Sequence, residues 1–156
     1  MTEFSHIADD GEVTMVNVGD KATTDRVARA RASLDLLAST RDALFDGSLP
    51  KGDALATVRI AAIQGAKRTA DLIPLCHPLS IDGIDVDIEP TASGACIEVE
   101  VRVAGRTGVE MEAMTGAAIG ALTMYDMVKG VDRGARVSAV ELLTKSGGAS
   151  GEWHRE

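Results

Sequence analysis

Two runs of strict alternation constrain this chain more than anything else in it. Ile84, Val86 and Ile88 alternate with Asp85, Asp87 and Glu89, and after Thr91-Ala92-Ser93-Gly94 the pattern resumes, with Ile97, Val99, Val101 and Val103 interleaved by Glu98, Glu100 and Arg102. A period of two puts the aliphatic side chains on one face and the charges on the other, which predicts a β-hairpin with one wet face. The dry face then needs a cover. Asp53 is a good N-cap for a helix over 54–72, where Leu55, Val58, Ala62, Ile63 and Ala66 fall near one side, and 109–128 reads as a second long helix. Residues 26–34 and 136–143 read as further strands, and 39–45 as a short helix stopped by Gly47. The order strand, helices, two strands, helix, strand predicts an α+β, ferredoxin-like sandwich, an antiparallel sheet with helices on one face.

With 156 residues the chain forms one domain over 1–156, with a flexible lead at about 1–12 and a flexible Gly, Ser and Ala-rich tail at about 146–156. Aromatic residues are only 3%, so stacking on rings cannot be its main binding mode. A formal charge of -8 argues against a nucleic-acid surface, which needs a basic face. Cys76 and Cys96 are too few for a disulfide framework, and no ligand spacing suggests a metal site. The absence of a leader pattern in residues 1–10 and of any apolar run of ~18 residues predicts a soluble, cytoplasmic protein without a membrane anchor.

The first chemical signal is Leu72-Ile73-Pro74-Leu75-Cys76-His77-Pro78-Leu79. Each proline fixes one backbone angle and restricts the residue before it, so the thiol and imidazole between them have few ways to move. The same segment could equally be a stiff turn with a packed cysteine. The second signal is the 109–128 helix, which opens with Glu110 and Glu112 and closes with Asp126 and Lys129. Dipole matching at the helix ends explains such a pattern in part. Asp126 and Lys129, three apart among Leu122, Met124, Met127 and Val128, share a face and suit proton transfer, with a plain surface ion pair as the competing account. Glu112 and Asp126 are fourteen residues apart, hence ~21 Å along one helix and within about 40° of one another. One small molecule cannot reach both unless they come from different subunits.

Basic residues beside glycines or in clusters are candidates for phosphate contacts on an otherwise acidic chain. They are Arg26 with Arg29 and Arg31, Lys51, Lys67-Arg68, and Lys145 before Ser146-Gly147-Gly148. Neither a Walker loop nor a Gly-x-Gly-x-x-Gly occurs, so a nucleotide would be held by scattered Lys and Arg.

Met15-Val16-Asn17-Val18, Lys51-Gly52-Asp53, Ala66-Lys67-Arg68-Thr69, Leu72 to Leu79, Gly105 to Ala113, Tyr125-Asp126-Met127 and Lys145 to Gly148 together resemble, in order, the cyclic pyranopterin monophosphate synthase family of molybdenum cofactor biosynthesis. The resemblance implies a lyase acting on 3′,8-cyclo-7,8-dihydro-GTP and releasing pyrophosphate. It also implies a homohexamer, a trimer of dimers, with sites at subunit interfaces. No resident cofactor is called for beyond the Mg²⁺ that a triphosphate can carry. Carried over position by position, it implies catalytic roles for Asp126, Lys129 and His77, and substrate contacts from Leu75, Cys76, His77, Met111 and Glu112. Arg26, Lys51, Lys67 and Lys145 become candidates for phosphate contacts, and Glu110 for orienting a basic group. Two departures stand out: Asn17 where many members carry Asp, and Ala149 where many carry Lys. A non-catalytic sensor would share the fold but have no need of the Asp126, Lys129 and His77 set, and a structural subunit would show an exposed apolar face in place of polar residues converging on a cleft.

Overall fold

The computed structural model describes residues 11–156. Nearly all of the lead expected to be flexible lies outside the described residues. Five strands form one antiparallel sheet in the order β2-β3-β1-β4-β5, from β1 (Thr24–Asp35), β2 (Gly83–Pro90), β3 (Gly94–Gly105), β4 (Arg136–Ser146) and β5 (Trp153–His154). Helices α1 (Ala38–Asp46), α2 (Ala54–Lys67), α3 (Thr69–Leu72) and α4 (Glu110–Val128) complete the α+β sandwich. The hairpin forms in the register its alternation demands, with Ile84 opposite Val101, Val86 opposite Val99 and Ile88 opposite Ile97. Thr91 and Gly94 exchange backbone hydrogen bonds across the turn.

On the wet face, charges pair across strands. Glu98 takes both Arg29, at 2.7 Å, and Arg31, while Arg102 reaches Asp85 and Glu100. Arg29 and Arg31 thereby share one carboxylate. The dry face is covered by α2 and α4. Ala28, Ala30 and Ala32 of the central strand, buried to the last atom or nearly so, leave room for α4 to lie close, with Val99, Val101, Met124 and Val128 filling the layer.

Small residues also set the contact between the two long helices. Gly65 on α2 faces Ile119 so closely that an added Cβ would lie 2.8 Å from the Ile119 Cβ, and Gly116 and Gly120 meet Ala62 and Ala66. Gly65→Val is therefore expected to force the helices apart and destabilise the protein by about 1–3 kcal/mol, an overpacking cost read from the urea midpoint at constant slope.

Two expectations need correction. The helix predicted over 54–72 breaks at Arg68 (φ -106°, ψ 15°) into α2 and α3. The Thr69 hydroxyl donates to the Ala66 carbonyl at 2.9 Å, offering that carbonyl a partner outside the helical ladder. Ile73 then turns extended, as a residue before proline must. The tail expected to be free from 146 folds back: β4 runs on to Ser146, positive-φ Gly147 and Gly148 turn the chain, and Trp153–His154 pairs with Thr144 and Lys145. The Arg155 N–H donates to the Leu143 carbonyl beyond it. No described helix is long and apolar enough to cross a membrane.

Candidate active site

The sequence-predicted residues gather at the two ends of α4. At its N-terminal end the Pro74–Pro78 loop, the first helical turn and the segment 16–21 enclose a cavity of about 370 Å³, lined by Leu75, Cys76, His77, Met111 and Glu112 together with Glu110. A smaller cavity of about 100 Å³ lies behind it, with Lys67 in its wall, and His77 and Glu112 line both. On the other side a cavity of about 510 Å³ is lined by Lys21, Arg26, Arg106, Glu110 and Ser150. Lys145 stands beside it, its ammonium bonded to the Ser150 hydroxyl and 3.9 Å from a Glu110 carboxylate oxygen. A mostly uncharged chamber with one imidazole and one buried acid thus adjoins a cationic one.

Glu112 is the buried acid, only 4% exposed. Burial pushes its carboxyl up to about 7, with the charge of Glu110 acting in the same direction. A carboxyl that titrates near neutrality can both give and take a proton, which an exposed glutamate cannot do efficiently at that pH. The sign of its linkage to folding follows. Because the folded-state value lies above the unfolded one of about 4.3, the advantage of the protonated form is complete below that value and is lost as pH rises through about 7. Glu112→Gln cannot ionise, so its thermal midpoint relative to wild type should rise between pH 5 and pH 8. A constant difference would show that Glu112 titrates where an exposed carboxylate does.

Cys76 responds the same way to its surroundings. Burial raises its thiol and the Glu112 charge adds to the effect, which favours the protonated thiol in the cavity wall. Arg26, which lines the cationic cavity, is also tied to the backbone beside it. Its Nε donates to the Gly105 carbonyl at 3.0 Å and its Nη2 to the Arg106 carbonyl at 3.1 Å, pinning the turn that leads into α4. Gly148, at φ 74°, lies so close to this guanidinium that no Cβ would fit between them.

At the other end of α4, Asp126 sits between two ammonium groups. Lys129 Nζ is 2.6 Å from Oδ1, and Lys51 Nζ is 2.9 Å from Oδ2 and 2.6 Å from the Asp126 carbonyl oxygen. Hydrogen bonds from Lys129 and then Lys51 hold the Asp126 carboxyl down at about 2, and Asp126 raises Lys129 in return. Met124, Met127 and Val128 point into the core, but the Asp126 and Lys129 side chains are 54% and 51% exposed. Within one chain the pair is a surface ion pair, and the expected apolar setting is absent because the helix turns its buried face the other way.

Sequence reasoning missed Val16, Val18 and Lys21, which roof the first cavity, and Arg106 and Thr107 in the cationic one. Asn17 makes a local turn, its Oδ1 accepting the Gly19 N–H at 2.8 Å, and Ala149 lines the cationic cavity. Among the described residues no cluster of three or more His, Cys, Asp or Glu could hold a metal ion.

Residues 15–148 match the MoaC family model. The chain belongs to the MoaC family. Its similarity to members of that family extends over essentially its full length. A protein from Thermomicrobium roseum is 48% identical, with 100% of this chain and 95% of the relative covered. One from Herpetosiphon aurantiacus is 52% identical over 96% of this chain and 93% of its own, and one from Novosphingobium aromaticivorans is 47% identical over 98% of both. Each of the three is named cyclic pyranopterin monophosphate synthase.

Proposed function

We propose that this protein is a cyclic pyranopterin monophosphate synthase that converts 3′,8-cyclo-7,8-dihydro-GTP into cyclic pyranopterin monophosphate and pyrophosphate, by general acid and base catalysis in the cytoplasm. The observation that carries the reading is the pairing of cavities at the N-terminal end of α4: a chamber with His77, Cys76, Met111 and Glu112 for the ring system, opening beside a cationic chamber for a triphosphate. The names of the MoaC relatives support it.

The reaction opens the imidazole ring of the guanine, rebuilds a pyrazine ring and closes a cyclic phosphate. Glu112 and His77 face the ring chamber and are placed to move protons there. Lys67 and Lys145 would bind phosphate or donate protons from the flanks, with Mg²⁺, where needed, arriving on the triphosphate. Asp126, Lys129 and Lys51 lie at the far end of the same helix, so they serve the ring chamber of a neighbouring subunit in a homohexamer. Packing against that neighbour would dry the Asp126–Lys129 pair and bring it toward neutrality, as proton transfer requires.

Purified protein incubated with the cyclised nucleotide should release pyrophosphate and form the pterin product in equal amounts. Saturable binding without pyrophosphate release would show a sensor, and neither would show a structural subunit.

A further inference from the structure

Lys21 is the one Lys or Arg that lines both the ring chamber and the cationic chamber. It shares their common wall with Thr107, Gly108 and Glu110, of which only Glu110 is charged. Its backbone is fixed by a hydrogen bond from its N–H to the Val18 carbonyl at 3.1 Å, while its exposed side chain has no hydrogen bond or ion pair among the described residues. Among the described residues, nine of the 16 Lys and Arg side chains lie within ion-pair distance of a carboxylate, and Lys21 is among those left free of one. Of the other cations at the cationic chamber, Arg26 is committed to two carbonyls and Lys145, beside it, to Ser150 and Glu110, while Arg106 lines that chamber but not the ring chamber.

We infer that Lys21 is a substrate-binding residue that holds the phosphate nearest the ring system, an assignment resting on the function proposed above. A triphosphate nucleotide with its rings in one chamber and its phosphate tail in the other must place its α-phosphate at the common wall. That phosphate is the one the product keeps. Release of pyrophosphate breaks the bond from Pα to the oxygen bridging Pβ, and that electron pair leaves with pyrophosphate. A hydroxyl oxygen of the substrate forms the new bond to Pα and gives up its proton. A cation at Pα offsets the negative charge that would repel the incoming oxygen, whereas one deeper in the tail serves the departing pyrophosphate.

The test compares Lys21→Ala, Lys21→Arg and Lys145→Ala with wild type in calorimetric binding of the cyclised nucleotide and of inorganic pyrophosphate, together with steady-state turnover. Lys21→Ala should weaken nucleotide binding and lower kcat/KM by about 10–100-fold, with pyrophosphate affinity within about twofold of wild type. Lys145→Ala should weaken pyrophosphate binding instead, and Lys21→Arg should recover most of the nucleotide affinity. Unchanged nucleotide binding in Lys21→Ala overturns the assignment, and so does a loss of pyrophosphate affinity as large as that of Lys145→Ala. A wild-type protein that binds the nucleotide but releases no pyrophosphate would refute the proposed function, while the binding comparison would still decide the role of Lys21.

Discussion

Asp126→Asn is expected to lower turnover by about two to four orders of magnitude, the range that a positioned general acid or base contributes, while leaving the fold in place. Asp126 makes no contact with the core, and its side chain is half exposed, so nothing in the packing depends on its charge. What does depend on it is the arrangement of two lysines from separate parts of the chain. Lys51, on the turn before α2, reaches 75 residues along the sequence to both the carboxylate and the carbonyl of Asp126, and Lys129 closes from the next turn of α4. Asparagine retains one acceptor oxygen but cannot take a proton and cannot hold two ammonium groups by charge. Lys129→Ala should cost turnover similarly, because in the proposed function the two groups act as a pair. Turnover close to wild type in Asp126→Asn, with the melting transition unchanged, would reduce the cluster to the surface ion pair it forms in the single chain.

How much of this could be read beforehand depends on whether local pattern or tertiary contact decides. The hairpin was legible from its alternation over 84–89 and 97–103, because slipping Ile84, Val86 and Ile88 by one position against β3 would turn three aliphatic side chains into water. The break at Arg68 was not, since apolar periodicity runs through it and the Thr69 hydroxyl that bonds the Ala66 carbonyl there leaves no trace in that pattern. The return of the tail was equally hidden, because a two-residue strand shows no alternation. At the site, proline spacing announced a stiff loop carrying Cys76 and His77. The character of Glu112 stayed concealed, because an acid in a first helical turn looks like dipole matching until the 73–79 loop is seen to bury it. Lys21 was passed over although it follows Gly19-Asp20, because only the fold reveals that two chambers meet at it.

The geometry of α4 sets up the second large effect, recovery of activity when two dead variants are mixed. The helix runs without interruption from Glu110 to Val128, so Glu112 and Asp126 are fixed on one rod about 21 Å apart at ~1.5 Å per residue. Glu112 looks into the ring chamber beside His77, while Asp126 lies at the opposite end with Lys51 and Lys129. If both act on one substrate, each site takes Glu112 from one subunit and Asp126 from its neighbour. Glu112→Ala and Asp126→Ala, each inactive alone, should then regain activity when unfolded together and refolded as mixed oligomers. In a mixed pair one site carries both lesions and the other carries neither. Random pairing makes half the pairs mixed, so about a quarter of all sites should be whole and activity should approach that fraction of wild type. If co-refolded oligomers, with mixing verified by native mass measurement, stay as inactive as the separate variants, the site is not shared across the interface. The Asp126 cluster would then have to act away from the ring chamber or serve only the structure of the helix end.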